Sequence, residues 1–185
     1  MVFDGIILAG GQSKRMGSDK GLISYKGKQL VEYAIDLLTP FCENIVISAN
    51  NPQYSKFGLP VIADDMRDIG PVGGLLATLP KSQNRYSIVV SCDMPHLNSE
   101  AVNLLIEYVK DATCYIPKHN RGIEPLFGIY HQNFIHTLSE TVNNGNYKLR
   151  ALFSPLDTFY VDFNILLETH LSLFLNFNKL SDLKR

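Results

Sequence analysis

An α/β fold, with a mostly parallel sheet held between two layers of helices, is predicted by three features of the 185-residue sequence. Short apolar runs recur along the chain and end in glycine or acidic residues. Stretches with helical apolar spacing separate them through the first two thirds. No repeat, low-complexity segment or Pro/Ser-rich linker interrupts the alternation. Strands that alternate with helices pair in parallel and are covered on both faces. With 45% hydrophobic residues, the chain is long enough to bury one sizeable core, so one domain is expected over residues 1–185.

The first strand is Phe3 to Leu8, an apolar run stopped by Ala9-Gly10-Gly11. A polar, basic loop comes next and extends to Lys20. Leu30, Val31, Ala34, Leu37 and Leu38 mark one face of a helix over Leu30 to Leu38. Asn44 to Ser48, rich in β-branched residues, is the second strand. Leu59 to Ala63 is the third and ends at Asp64-Asp65. Gly70-Pro71-Val72-Gly73-Gly74 opens a helix running to Leu79, with proline in its first turn. Tyr86 to Ser91 is the most apolar strand and is expected at the sheet centre. Ala101 to Val109 is a helix capped by Asn98 or Ser99. Later strands are expected at Thr113 to Ile116, Leu126 to Tyr130 and Thr158 to Val161. Helical segments are expected at Asn133 to Val142, Tyr147 to Phe153 and in part of Ile165 to Leu183.

Bulk charge narrows the function. Seventeen basic residues face 18 acidic ones, a net charge of -1, so nothing draws the chain generally to nucleic acid or an anionic membrane. Any anion site must come from local placement. The segment Met1-Val2-Phe3-Asp4-Gly5 has no basic n-region, and no apolar run is long enough to span a bilayer. Cys42, Cys92 and Cys114 form no CxxC pair, which argues against a zinc ribbon or disulfide framework and for a reducing cytoplasm.

The loop after the first strand carries the strongest chemical signal. Small residues at a strand end let backbone N–H groups approach a phosphate. Lys14, Arg15 and Lys20 lie in the same loop and suit a triphosphate, arginine by a two-point grip and lysine as a point charge. The competing reading is a solvated turn with scattered cations. GxxxxGK[ST] is absent, because Gly17 is followed by Ser18. GxGxxG is absent too, because Gly10 and Gly11 are adjacent. Neither a Walker ATPase nor a dinucleotide-binding site fits.

Asp93 lies just past the Tyr86–Ser91 strand, at the sheet edge where the glycine loop emerges. A magnesium ion favours such a carboxylate, with water and substrate phosphate completing its shell; a turn aspartate before Pro95 is the alternative. Asp64, with Asp65 as rival, could reach the nucleoside or merely close a turn. Gly73-Gly74 either aims a helix N-terminus at the nucleoside or permits tight helix–strand packing. His96, His119, His131, His136 and His170 show no metal-ligand spacing and are expected at the surface.

These residues together resemble a known pattern. Leu8-Ala9-Gly10-Gly11-x-Ser13-x-Arg15-Met16-Gly17-x-Asp19-Lys20-Gly21-Leu22 is similar to the signature of molybdenum cofactor guanylyltransferases. The wider nucleotidyltransferase superfamily shares only its first half. Gly70-Pro71-Val72-Gly73-Gly74-Leu75 resembles the family's Gly-Pro-Leu-Ala-Gly, Cys92-Asp93-Met94-Pro95 its Cys-Asp-x-Pro, and Glu124-Pro125-Leu126 lies where it often carries a proline. The resemblance covers most of the chain in order. It implies a three-layer, Rossmann-like nucleotidyltransferase domain that transfers GMP from GTP to molybdopterin with Mg2+ and releases pyrophosphate. Leu8, Ala9, Gly10 and Gly11 would contact GTP, with amides of Ala9 to Gly11 as fixed donors. Arg15 and Lys20 would hold its phosphates, Asp64 would help place the nucleoside, and Asp93 would bind GTP and the metal. Lys14 is left as a steering charge at the rim.

Three departures accompany the match. Ser48 stands where the family often has asparagine, with Asn50 two residues on, and Ser48 is the expected nucleotide contact there. Gly73 replaces an alanine. The family's closing Asn-x-Asn-Thr-Pro reads Asn176-Phe177-Asn178-Lys179-Leu180, and that segment bears on the pterin substrate. Related activities share the pattern's first half: a cytidylyltransferase for the same cofactor, a sugar-phosphate nucleotidyltransferase, or a non-catalytic nucleotide-binding module. The expected partners are GTP and molybdopterin, with a transient molybdopterin-delivering protein, and the expected state is a monomer or weak oligomer.

Overall fold

The computed structural model describes residues 1–10, 19–64, 66, 69–153, 157–178, 181 and 182. Gly11, Lys14 and Arg15 of the basic loop, Asp65, and Lys179-Leu180 of the tail lie outside the described residues.

Ten strands and five α-helices are described. In chain order they are β1 (Phe3–Leu8), β2 (Ser24–Tyr25), β3 (Lys28–Gln29), α1 (Leu30–Leu38), β4 (Cys42–Ser48), β5 (Val61–Ile62), α2 (Pro71–Thr78), β6 (Tyr86–Ser91), α3 (Ser99–Glu107), β7 (Cys114–His119), β8 (Gly122–Ile123), β9 (Phe127–His131), α4 (Phe134–Asn143), β10 (Thr158–Asp162) and α5 (Asn164–Thr169). The main sheet runs β10-β7-β9-β6-β1-β4-β5, with β8 paired to β7. β6 is the middle strand of that order, as its apolar sequence predicts. β1 pairs in parallel with β4 and β6, and β7 in parallel with β10. β9 is antiparallel to both its neighbours, so the sheet is mostly but not wholly parallel.

Burial on both faces explains why β1 and β6 read as continuous apolar runs. Phe3 and Ile7 of β1 pack with Val31, Leu38, Val102 and Leu105 of α1 and α3 on one face. Ile6 and Leu8 pack with Val72, Leu75, Phe134 and Leu138 of α2 and α4 on the other. Each fully buried aliphatic chain contributes about 1.5–3 kcal/mol. α1 begins at a capping box in which Gln29 N–H donates to Glu32 Oε2 at 2.6 Å. α3 is capped by Asn98, whose Oδ1 accepts from Ala101 N–H at 3.0 Å.

Where the fold differs from the sequence expectations, the causes are local. The expected third strand shrinks to Val61–Ile62. Pro60 has no N–H for the ladder, although its carbonyl still accepts from Ile47 N–H at 2.9 Å; an edge strand tolerates this. Tyr147 to Phe153 holds a 3-10 turn, Leu149–Leu152, in place of the expected helix. His119 and His131 are buried rather than at the surface. Both end strands and pack on aromatic rings, His119 on Phe174 and His131 on Tyr86.

Asp4 anchors the sheet edge opposite the glycine loop. Its carboxylate accepts from Gln83 N–H (2.6 Å), Asn84 N–H (2.8 Å), Asn84 Nδ2 (2.9 Å) and Asn44 Nδ2 (3.0 Å). Burial pushes its pKa up, but these hydrogen bonds outweigh burial and hold it below the ordinary 3.8. A depressed carboxylate stabilises the fold above its unfolded pKa and loses that contribution as pH falls through the folded one. Asp4→Asn is therefore expected to cost about 1–3 kcal/mol in urea unfolding at pH 7. The difference from wild type should shrink as pH drops below 3.8; a difference independent of pH would refute the charged role.

Candidate functional site

Three parallel strands end in register. Leu8 pairs with Ser48 on one side and with Ser91 on the other, so Ala9-Gly10, Ala49-Asn50 and Cys92-Asp93 leave the sheet along one edge. Ligands of open α/β sheets bind at such an edge. Ala9 N–H and Gly10 N–H both donate to the Ser48 carbonyl, at 3.0 and 2.9 Å. The chain leaves β1 by folding against β4, and these two amides take part in that contact. Ser48 is also an inward residue, 3% exposed, lying beneath the first turn of α2. A β-carbon on Gly74 would stand 2.6 Å from Ser48 Oγ and 3.0 Å from Leu8 Cδ2. Gly74 thus serves close helix–sheet packing.

Gly73 faces the other way. A β-carbon there would stand 2.6 Å from Asp64 Cγ, so alanine at this position would displace the Asp64 carboxylate. Asp64 is further held by Asn50, whose Oδ1 accepts the Asp64 N–H at 2.7 Å, and its own Oδ1 accepts from Met66 N–H at 2.8 Å. Asp64 therefore sits at the N-terminal turn of α2, beside the strand ends that carry the glycine loop. Gly70, with φ 64°, makes the turn that brings α2 there.

The loop's return is fixed by Tyr54. This residue, fully buried, lies in the 3-10 turn Pro52–Phe57. Its hydroxyl donates to Asp19 Oδ1 and lies 3.3 Å from the Ala9 carbonyl, while Asn51 Nδ2 donates to Asp19 Oδ2 at 3.3 Å. Burial above all, with the Asp19 carboxylate as a lesser cause, drives the Tyr54 pKa far up and keeps the phenol protonated. Gly21 is the residue over which the ring passes: a β-carbon there would collide with the hydroxyl and stand 3.1 Å from two ring carbons. Asp19-Lys20-Gly21 thus divides its work, Asp19 anchoring, Gly21 clearing Tyr54, and Lys20 reaching the site. Gly21→Ala is expected to cost about 1–3 kcal/mol in urea unfolding. It should cost less in a Tyr54→Phe background, and equal costs in the two backgrounds would contradict the contact.

Lys20 meets Asp93 across the edge. Lys20 Nζ lies 2.5 Å from Asp93 Oδ2, with the two side chains 17% and 12% exposed. Asp93 Oδ1 is buried and accepts no hydrogen bond from the described residues. The tail closes over this pair: Asn178 Oδ1 accepts from Lys20 Nζ at 2.8 Å, and Phe177 N–H donates to the Asp93 carbonyl at 2.9 Å. Phe177 is held by Tyr25 and His96, with ring centroids 4.8 and 5.5 Å away. Burial first, then the charge of Lys26, lowers the His96 pKa, so His96 is neutral at pH 7. Beside the pair, burial and then the Asp93 charge push the Cys92 thiol far up, which excludes it as a nucleophile at neutral pH.

The structure brings together Leu8, Ala9, Gly10, Lys20, Ser48, Asp64 and Asp93 at one sheet edge, while Gly11 and Arg15 fall outside the described residues. Sequence reasoning missed Tyr54, Asn51, Tyr25 and the hold of Asn178 on Lys20. Tyr54 and Tyr25 lie in short irregular or two-residue elements without periodicity. The asparagines of the tail were the one available signal for Asn178.

The chain is similar to known proteins over most of its length. Residues 5–159 match the MobA-like NTP transferase domain. A molybdenum cofactor guanylyltransferase of Vibrio vulnificus (strain YJ016) is 38% identical over 164 residues, spanning 86% of this chain and 84% of that protein. A probable molybdenum cofactor guanylyltransferase of Clostridium perfringens (strain SM101 / Type A) is 36% identical over 149 residues, 80% of this chain and 75% of the relative. Among solved structures, molybdopterin-guanine dinucleotide biosynthesis protein A from Archaeoglobus fulgidus superposes with a TM-score of 0.83 at 26% identity, covering 99% of this chain and 96% of that one.

Proposed function

Because the chain belongs to the MobA-like NTP transferase family, we propose that it transfers GMP from GTP to molybdopterin, forming the guanine dinucleotide cofactor and releasing pyrophosphate. The observation that carries this reading is the Lys20–Asp93 pair at the end of the central strand, beside the glycine loop. Opposite charges set there can part to meet opposite ligands: the ammonium a phosphate, the carboxylate a metal.

The acceptor ends in a phosphate that is already anionic near neutral pH, so no strong general base is needed. An oxygen of that phosphate attacks the α-phosphorus of GTP in line. The new P–O bond forms as the bond to the β-phosphate oxygen breaks, and pyrophosphate leaves on the far side. The protein's part is positioning and charge stabilisation. Lys20 and Arg15 hold the phosphates, Leu8 to Gly10 and Ser48 lie at the sheet edge beside them, and Asp64 at the first turn of α2 orients the nucleoside.

Asp93 fits magnesium. One carboxylate oxygen is buried with no hydrogen bond from the described residues. Among the described residues no group of three His, Cys, Asp or Glu could cage an ion. That combination suits a cation that keeps its waters and is completed by substrate phosphate oxygens. When bound, the ion would neutralise charge developing on the phosphates.

No described helix is long and apolar enough to cross a membrane, and the three cysteines are free thiols. The free thiols suit a reducing cytoplasm, which is the compartment proposed for the enzyme. Base preference is tested by calorimetric titration of GTP, CTP, ATP and UTP in the presence of magnesium. GTP should bind tightest; tighter CTP binding would reassign the protein to cytidylyl transfer.

A further inference from the structure

We propose that Glu124, oriented by His119, reads the pterin ring of the acceptor. The inference rests on molybdopterin being that acceptor. β9 is antiparallel to β6 and to β7, so β7 runs parallel to β6 and its last residue, His119, arrives at the same sheet edge as Asp93. The two strand ends are two strand spacings apart, about 10 Å.

At that position stands a built polar pair. His119 is 7% exposed. Its Nδ1 accepts from Arg121 N–H at 3.2 Å, which leaves the ring proton on Nε2, 3.1 Å from Glu124 Oε1. His119 also stacks on Phe174 at 5.4 Å. The imidazole therefore fixes one oxygen of Glu124. Among the described residues it is the carboxylate's one side-chain partner, although that side chain is only 16% exposed. A carboxylate offers about four acceptor positions, so Glu124 keeps most of its capacity.

The tail joins this pair to the first. Phe174 lies on His119, its carbonyl accepts from Asn176 Nδ2 at 3.3 Å, and three and four residues later Phe177 and Asn178 bind Asp93 and Lys20. Residues 174–178 thus line the edge from one polar pair to the other.

The chemistry of the acceptor matches the two ends. Its phosphate belongs at Lys20 and Asp93, where transfer occurs. Its 2-amino-4-oxo ring, a fused ring system and one methylene away, presents a ring N–H and an amino N–H side by side. A carboxylate accepts both; a carboxamide of the same size cannot. Groups built to take a substrate's N–H discriminate strongly against replacements that leave it unpaired.

The test is steady-state GMP transfer by wild type and Glu124→Gln, varying molybdopterin and GTP separately. The substitution should raise KM for molybdopterin at least tenfold while leaving KM for GTP and the melting temperature unchanged. On the unaltered protein, 2-amino-4-oxopteridine should compete with molybdopterin, and the 4-oxopteridine lacking the amino group should not. An unchanged acceptor KM, equal rises in both KM values, or equal competition by the two pteridines overturns the role of Glu124. Absence of GMP transfer by wild type would instead overturn the proposed reaction, and the pterin reading with it.

Discussion

Asp93→Asn should lower kcat/KM for GMP transfer at least about a hundredfold, close to 3 kcal/mol of transition-state stabilisation, while the protein remains folded. Asparagine keeps the size of the side chain and offers an oxygen to Lys20, but it removes the charge. The buried oxygen that accepts no hydrogen bond from the described residues is the atom proposed to meet a divalent ion, and a neutral carboxamide is a poor ligand for magnesium. The variant should consequently need more magnesium to reach half its maximal rate. Turnover within about threefold of wild type at equal magnesium, a difference under 1 kcal/mol, would remove Asp93 from the reaction.

Lys20→Ala should cost at least about 2 kcal/mol of transition-state stabilisation, by analogy with loss of a fixed oxyanion donor. It should also cost stability, because it strands the Asp93 carboxylate, only 12% exposed, without its ion partner. The double variant Lys20→Ala/Asp93→Asn isolates the stability effect: with the stranded charge gone, stability should recover toward that of Asp93→Asn alone. The catalytic part is read on folded Lys20→Ala by itself, and turnover within about threefold of wild type, under 1 kcal/mol, would make Lys20 structural.

Much of this was legible because burial on two faces writes itself into sequence. β1, β6 and α1 have the bounds their apolar patterns predict. The motif also pointed to the sheet edge where Lys20 and Asp93 meet. Elements without periodicity were not legible. The β2–β3 hairpin turns on Lys26 and Gly27, with φ of 47° and 87°, and each strand is two residues long. The tail was expected to be helical in part. Within it, Asn164–Thr169 is the α-helix. Residues 173–178 are instead held by contacts with distant rings and the Lys20–Asp93 pair, which leave no local spacing to read.

The roles of the glycine segments were mixed for a related reason. A glycine pattern says that something comes close, but not what. At Gly21 it is Tyr54, at Gly74 it is Ser48 and Leu8, and at Gly73 it is the Asp64 carboxylate. Gly74 and Gly73 face residues expected to contact the nucleotide, whereas Gly21 faces a ring that the sequence did not single out. Likewise, the amides of Ala9 and Gly10 meet the Ser48 carbonyl, a contact invisible without the neighbouring strand.

Guanylyl transfer onto molybdopterin can be followed directly with an α-labelled phosphate. Purified protein is incubated with magnesium, molybdopterin and GTP labelled at the α-phosphorus, and both products are quantified. One labelled guanine dinucleotide per pyrophosphate released is expected, dependent on molybdopterin and abolished by removing the metal. Pyrophosphate release without the labelled product, or equal labelling from CTP, would contradict it.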